Sequence, residues 1–215
     1  KHLSKNVELK DITDDLCVFG LFGPKSRDLL KTLSKDNFEN DQFRFGFAKF
    51  ITIDGVKIWA QRLSYVGELG YELYVDLKDA KKIYELLIEK GKDFNLSNCG
   101  MHAMDIMRME SGFLHWGHDI SPEENQYQAG LAFTISNKKD VDFIGKQALE
   151  KIKQDKVKTR FSMFTLKESE PGKPLLLHDE PIYDGEKIIG RSTSGNYSFN
   201  FKKNLVFGYI NNDFS

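Results

Sequence analysis

A glycine-containing segment around Gly70 groups residues that can bind a polar ligand. Two glycines three residues apart, flanked by strand-like sequence, predict a tight connection at which the backbone can approach a ligand. Two carboxylates lie beside two tyrosines, so hydrogen-bond acceptors and aromatic rings occur together. A surface β-hairpin with charged tips explains the same pattern, and the spacing alone favours that interpretation. The residues concerned are Tyr65, Gly67, Glu68, Gly70, Tyr71 and Glu72.

A second segment predicts a helix that carries an arginine among methionines. On a helix Asp105 and Arg108 are neighbours one turn apart, and Met101 and Met104 share a face with Arg108. An arginine in apolar surroundings is expected to be partly buried and then needs an anionic partner. A structural Asp–Arg pair and a site for an anionic ligand both satisfy that need, and the sequence leaves both open.

A third segment suggests aromatic or metal chemistry. Trp116 can stack on a planar ligand or fill the core, and taken alone it favours the core. His115, His118 and Asp119 lie close in sequence, but their spacing matches no zinc signature, and we predict no metal site. The sequence shows no nucleophile elbow, P-loop or dinucleotide-binding glycine motif.

Charge and composition favour a globular protein and do not indicate nucleic acid or a membrane as a partner. The 215 residues carry a formal net charge of −1, so no strong field predicts nucleic acid or an anionic membrane as a partner. No apolar run approaches the ~20 residues that a membrane-spanning helix needs. Cys17 and Cys99 form no CxxC or Cys/His motif, which favours reduced thiols and a cytoplasmic location.

The first part of the chain predicts an α+β domain built on a mainly antiparallel sheet. Strand-like runs alternate with helical periodicity in the order strand, helix, three strands and two helices. Asp54-Gly55 is a two-residue hairpin signal, and Pro24 suits the first position of a helix. The predicted strands are 16–22, 45–53, 56–63 and 71–75, and the predicted helices follow Pro24 and span 78–90 and 101–111.

The last part of the chain predicts a small β-barrel or sandwich. A third helix after Asp142 is expected to bury one side, and the charged stretch 150–158 suggests a boundary. We therefore predict two domains, 1–155 and 156–215. The buried side is predicted to hold Ile144, Ala148, Leu149 and Ile152; strands are predicted at 161–166 and 205–210, a hairpin at 182–189 about Asp184-Gly185, and a turn at Pro171-Gly172.

Several motifs occur in a fixed order along nearly the whole chain. In order, they are Gly23-Pro24-Lys25-Ser26, Tyr65-Val66-Gly67-Glu68-Leu69-Gly70-Tyr71-Glu72, Met107-Arg108-Met109-Glu110-Ser111-Gly112, Trp116-Gly117-His118-Asp119-Ile120, Ala129-Gly130-Leu131, Phe143-Ile144-Gly145-Lys146 and Gly190-Arg191-Ser192-Thr193-Ser194-Gly195. The ordered set resembles the glycine-cleavage T-protein (aminomethyltransferase) family. The residues within these motifs are most similar to those of the C-terminal folate domains of sarcosine and dimethylglycine dehydrogenases.

The resemblance implies an α+β, antiparallel-sheet folate-binding region followed by a C-terminal β-barrel. It implies transfer of a one-carbon unit from an amine (a glycine-cleavage intermediate, sarcosine or dimethylglycine) to tetrahydrofolate. The implied partners are a folate, an amine substrate and a lipoyl carrier protein or flavin dehydrogenase domain, with FAD present only if a separate upstream domain exists. The alternative is a non-catalytic folate-binding relative, such as an iron–sulfur cluster assembly factor; such relatives tend to carry a late cysteine signature, and no cysteine follows Cys99.

The resemblance also implies roles for five residues. Glu72 would accept the paired N–H and amino donors of the pterin ring, and Tyr65 would line the same pocket. Arg108 would bind the anionic p-aminobenzoyl-glutamate end, while Trp116 would stack on the ligand and Arg191 would face the cavity from the barrel. The family's catalytic acidic residue is expected upstream of this chain. We therefore expect a fragment that is inactive alone.

Overall fold

The computed structural model describes residues 6–136, 142–155 and 157–214. The chain divides into two compact units, Lys1–Gly100 and Met101–Ser215. The predicted domain boundary falls at Lys156, which lies outside the described residues, and it stays a prediction. Most of the charged stretch that suggested it belongs to a helix, described below as α4.

The first unit is a four-stranded antiparallel sheet with two helices. Its strand order is β1-β4-β3-β2, and every neighbouring pair is antiparallel. The predicted sequence of strands and helices is confirmed in this unit. The elements are β1 (Leu16–Phe22), α1 (Ser26–Leu33), β2 (Ala48–Ile53), β3 (Val56–Gln61), β4 (Gly70–Asp76) and α2 (Leu77–Gly91), with short 3₁₀ turns at Thr13–Asp15 and Lys92–Phe94.

One face of this sheet forms the core of the unit. Along β4 the side chains of Tyr71, Leu73 and Val75 are fully buried, and those between them are not. Because successive side chains of a strand point to opposite faces, this alternation separates a core face from an open face. Leucines of α1 and the apolar residues of α2 join the same core cluster. Both helices therefore pack on the core face.

Local turn chemistry sets the register of β2 and β3. Asp54 and Gly55 have φ values of +46° and +79°, as a two-residue hairpin turn requires, so the predicted hairpin is confirmed. The predicted helical position of Pro24 is wrong, because α1 begins at Ser26 after an N-cap at Lys25. The strand predicted from Phe45 begins three residues later, at Ala48.

The second unit is a second four-stranded antiparallel sheet with two helices. Its strand order is β5-β8-β7-β6. Ile106 and Met109 of the first helix pack on Leu205 and Phe207 of the last strand to form its core. The elements are α3 (Met101–Glu110), α4 (Lys146–Asp155), β5 (Thr159–Thr165), β6 (Pro181–Asp184), β7 (Lys187–Ser198) and β8 (Lys203–Asn211), with 3₁₀ turns at Ala132–Thr134 and Asn212–Phe214.

One prediction for this unit is wrong, and another is confirmed with a longer strand. The predicted buried side of α4 is absent: the helix has no buried residue among those described, and Ile144, which precedes it, is 79% exposed. The predicted hairpin is confirmed, because β6 pairs with β7, but its second strand, predicted to end at Ile189, continues to Ser198. No helix in the described ranges is long and apolar enough to cross a membrane.

Candidate functional site

Glu72 lies at the centre of the open face of the first sheet. It belongs to the central strand β4, between the buried Tyr71 and Leu73, so its side chain projects away from the helices. Across the strands it is paired with Gly20 of β1 and Gln61 of β3. Because Gly20 has no side chain, the ring of Phe22 occupies the space above it, on the side of the carboxylate that faces β1.

The carboxylate of Glu72 is held by a neighbour on the same strand. The hydroxyl group of Tyr74 donates a hydrogen bond of 2.9 Å to Oε2 of Glu72. This bond raises the pKa of the Tyr74 phenol, and partial burial adds to the effect. Within residues 6–136, 142–155 and 157–214, no other donor lies within hydrogen-bond distance of the carboxylate, so Oε1 is available to a ligand.

Aromatic side chains surround Glu72 on this face. Trp59 is paired with Tyr74 across the strands and stacks edge-on against Phe50, with ring centroids 4.8 Å apart. The ring of Phe22 lies over two glycines: a Cβ atom built on Gly20 or Gly70 would approach it to 2.6 or 2.3 Å. A carboxylate framed by aromatic rings suits a planar ligand with hydrogen-bond donors on its edge.

The early glycine–proline turn supports the end of the glycine-containing loop. The backbone N–H of Gly23 and the hydroxyl group of Ser26 both donate to the carbonyl oxygen of Leu69, at 2.8 and 3.2 Å. Gly70 then begins β4. Two motifs that are distant in sequence thus fix the position at which β4 starts, two residues before Glu72.

The other two residues singled out on this loop differ in exposure. Tyr65 is half-buried, whereas Glu68 is exposed at the tip of the loop. The surface-hairpin interpretation therefore describes Glu68, but Glu72 belongs to the sheet. The role predicted for Tyr65 in lining a ligand pocket stays a prediction.

Arg108 is buried in the second unit, with 1% of its surface exposed. Its predicted pair with Asp105 is present, at 2.9 Å from Nε and 2.8 Å from one terminal nitrogen. The remaining donors bind Asp119, Ser194 and the carbonyl oxygen of Phe113. The five N–H groups of the guanidinium thus all meet protein acceptors. This arrangement favours the structural interpretation of Arg108, and its predicted role in folate binding stays untested.

Asp119 is the main partner that the sequence did not reveal. It is fully buried, and its carboxylate accepts hydrogen bonds from Arg108, the backbone N–H of His115 and the hydroxyl groups of Thr193 and Ser194. The sequence did indicate that such a partner exists, because a buried arginine needs a carboxylate. Asp119 is eleven residues away, however, and no helical spacing relates the two positions.

A β-bulge brings two adjacent hydroxyl groups to Asp119. The pairing of β7 with β8 shifts between Ser192 and Ser194, so Thr193 is an extra residue. Adjacent residues of a regular strand point to opposite faces, whereas here Thr193 and Ser194 donate to the same oxygen of Asp119, at 2.6 and 2.8 Å. The bulge therefore explains the Thr193-Ser194-Gly195 part of the late motif.

Arg191 lies on the surface of the second unit and lines a cavity of about 400 Å³. It is paired with Asp179 at 2.8 Å and with Glu124 at 3.1 Å. Gln128 and Tyr209 line the same cavity. Burial raises the pKa of Tyr209, and the nearby carboxylate of Glu124 adds to the effect. The predicted contact of Arg191 with folate stays a prediction.

Trp116 is 66% exposed, so the core interpretation of this residue is wrong. Its predicted stacking on a ligand stays untested. The neighbouring rings of His115 and His118 stack with centroids 4.4 Å apart, while Asp119 turns inward to Arg108. Across the described ranges, no group of three or more His, Cys, Asp or Glu side chains is placed to hold a metal ion.

Curated proteins of three kinds are similar to this chain. Human mitochondrial dimethylglycine dehydrogenase is 36% identical over 205 residues, which are 95% of this chain and 23% of that protein. The aminomethyltransferase of Symbiobacterium thermophilum is 32% identical over 95% of this chain and 54% of its own length. A 4-methylaminobutanoate oxidase (formaldehyde-forming) of Paenarthrobacter nicotinovorans is 39% identical over 87% of this chain and 22% of its own length. The chain thus spans about a quarter to a half of these relatives.

Fold similarity agrees with the sequence matches. The crystal structure of the glycine cleavage system aminomethyltransferase T from Bartonella henselae superimposes with a TM-score of 0.78 at 22% identity, covering 91% of this chain and 52% of that protein. The GCVT N-terminal domain family matches residues 1–139, and the glycine cleavage T-protein C-terminal barrel domain family matches residues 160–215. The chain therefore belongs to the glycine cleavage T-protein family, and it is an aminomethyltransferase-type α+β chain related to the dimethylglycine and sarcosine dehydrogenases.

Proposed function

We propose that this chain binds tetrahydrofolate and supports transfer of a one-carbon unit to it from an amine. The observation that carries the proposal is the position of Glu72 on the open sheet face, with Oε2 held by Tyr74 and Oε1 available. The pterin ring presents an N–H and an amino group side by side, and one carboxylate can accept both. Charge-assisted hydrogen bonds of this kind are short and strong.

The surroundings of Glu72 fit a pterin ring. The rings of Phe22 and Trp59 lie on the same face as the carboxylate and offer apolar contact to a flat ligand. Arg108 is not needed by this proposal, because its donors are already bound to protein acceptors. The chain's part in the reaction is to bind and orient the folate, and correct orientation supplies much of the rate of such a transfer.

The names of the relatives indicate the class of amine. Dimethylglycine, sarcosine and 4-methylaminobutanoate occur in the names of similar proteins, and all three are N-methylated amines. We propose an N-methylated amine as the source of the one-carbon unit, after a flavin dehydrogenase domain has removed two electrons from it to give the iminium whose carbon tetrahydrofolate accepts. A flavin dehydrogenase domain or a lipoyl carrier protein as partner, and the cytoplasmic location, stay predictions.

The test is the substitution Glu72→Gln, with tetrahydrofolate affinity measured by calorimetry under anaerobic conditions. An amide presents a donor to one of the pterin donors and lacks the negative charge. We expect a loss of about 2–4 kcal/mol of binding free energy, the scale for leaving one side of a charged hydrogen bond unpaired.

Glu68→Gln is the matched control, because it makes the same change on the exposed tip of the neighbouring loop. We expect it to alter the affinity less than about threefold, since exposed charges contribute little. Unchanged affinity in Glu72→Gln would show that the pterin is bound elsewhere.

A further inference from the structure

We infer that Tyr74 is a positioning residue that holds Glu72 in the orientation needed to bind the pterin edge. The inference rests on the proposed function and assigns a second residue to the same site. Nothing in the motif set singles out Tyr74. Its hydroxyl group donates to Oε2 of Glu72 from two residues along β4.

The ring of Tyr74 is itself fixed by the sheet. Tyr74 is paired with Val18 on one side and with Trp59 on the other, and all three side chains project from the same face. Trp59 is in turn packed against Phe50. A half-buried ring between Val18 and Trp59 has few alternative rotamers. The position of the Tyr74 hydroxyl group on this face of the sheet is therefore fixed.

Glu72 depends on the Tyr74 hydroxyl group for its orientation, because its neighbours on β1 and β3 do not bind its side chain. Gly20 opposite has no side chain, and Gln61 is not among its hydrogen-bond partners. A glutamate side chain has several rotatable bonds, and ordering them on binding reduces affinity. With Tyr74 bound to one oxygen, the carboxylate is ordered before the ligand arrives.

The bond leaves the carboxylate competent for a ligand with two donors. An ionised carboxylate has about four acceptor positions, of which the Tyr74 hydroxyl group uses one. Oε1 and the second position on Oε2 remain for the parallel pair of pterin donors. A phenol is protonated at neutral pH, and the upward shift in the pKa of Tyr74 moves its titration further from that range, so the hydroxyl group remains a donor.

A double-mutant cycle distinguishes positioning from simple packing. Tetrahydrofolate affinity is measured by calorimetry for the unaltered 215-residue chain, Tyr74→Phe, Glu72→Gln and the double substitution. Phenylalanine keeps the ring and removes the hydroxyl group. We expect Tyr74→Phe to weaken binding about 10-fold in the unaltered chain and less than about twofold when Glu72 is already glutamine.

The matched control is Tyr84→Phe, on α2 of the same unit. Its hydroxyl group accepts a hydrogen bond from Asn98 and does not contact Glu72. We expect unchanged affinity. Equal weakening by Tyr74→Phe in both backgrounds would indicate packing alone and would overturn the inference. If Glu72→Gln itself has no effect, or if the unaltered chain binds no folate, the proposed function fails and this inference fails with it.

A second measurement tests the bond without any ligand. The titration of Tyr74 is followed by NMR of its labelled ring carbon. We expect its pKa to fall in Glu72→Gln, because the carboxylate that raises it has been removed. A pKa that does not move would show that the hydrogen bond is absent in solution, which overturns the inference.

Discussion

Arg108 shows how a buried charge can serve the fold. Its guanidinium meets acceptors from α3, from the following loop and from β7, so one side chain joins three segments of the second unit. The planar guanidinium group holds its five N–H groups in fixed directions, whereas the N–H groups of an ammonium group can rotate. Its charge is balanced by Asp105 and Asp119. Removing the arginine leaves the buried carboxylate of Asp119 without its charge partner, and removing Asp119 takes away one of the two carboxylates that balance the arginine.

We predict that Asp119→Asn lowers the free energy of unfolding by about 3–5 kcal/mol, because a buried ion pair is broken on one side. Chemical denaturation monitored by circular dichroism measures the change. Asp179→Asn is the control, since Asp179 also pairs with an arginine but its side chain is 62% exposed. That variant should lose less than about 1 kcal/mol. Equal losses in the two variants would contradict a buried network around Asp119.

The sequence revealed part of this network. The Arg108–Asp105 pair was predictable because it depends on helical spacing within α3. Asp119 was not, because its approach depends on the loop after α3 and on the bulge in β7. The same limit applies to Tyr74: strand alternation placed Glu72 and Tyr74 on one face, but only the structure shows the bond between them.

Among the strands, β7 is the one whose conformation agrees least with the preferences of its own residues. Its second half is rich in glycine, serine and asparagine, which are weak strand formers, and pairing with β8 overrides that preference. In β1 and in the Asp54-Gly55 hairpin, by contrast, the preferences of the local residues agree with the observed structure. The buried side predicted for α4 failed because apolar periodicity does not reveal whether a neighbouring surface exists to cover it.

We predict that Gly190→Ala destabilises the second sheet by about 3 kcal/mol. A Cβ atom at this position would lie 2.2 Å from the carbonyl oxygen of Tyr209, so β7 and β8 would have to move apart. Gly195→Ala is the comparison, because there the close atoms belong to the side chain of Leu176, which lies on a loop.

Thermal unfolding of the two glycine variants measures the difference. We expect Gly195→Ala to lose less than about half as much stability, because the closest atom is the Cβ of Leu176 at 2.4 Å and a loop backbone can shift more readily than a paired strand. A larger loss in Gly195→Ala would show that the loop at Leu176 is more rigid than the ladder between β7 and β8.

At the scale of the whole molecule, each unit has its own apolar core. Among the described residues, the core cluster of the first unit and the side chains packed against it fall between Phe19 and Leu96. That of the second unit joins α3 to β5 and β8. A unit with its own core and a complete antiparallel sheet has the features of an independently folding domain.

We predict that residues 1–100 fold when expressed alone. The fragment should give dispersed amide signals in NMR spectra and a cooperative thermal transition. A shorter fragment, 1–69, is the control, because it lacks β4, the strand that pairs with both β1 and β3. A fragment 1–100 without a cooperative transition would show that its core is insufficient.

The extra residue in β7 also limits how this segment can change during evolution. Thr193 is the inserted residue that turns its own hydroxyl group and that of Ser194 towards Asp119. Deleting it would restore a regular ladder and, because strand side chains alternate, would turn one of the two hydroxyl groups away. Descendants of this chain can therefore gain or lose residues in the loops around β7 more readily than between Ser192 and Ser194. Gaps in alignments of its homologues are expected to avoid that interval.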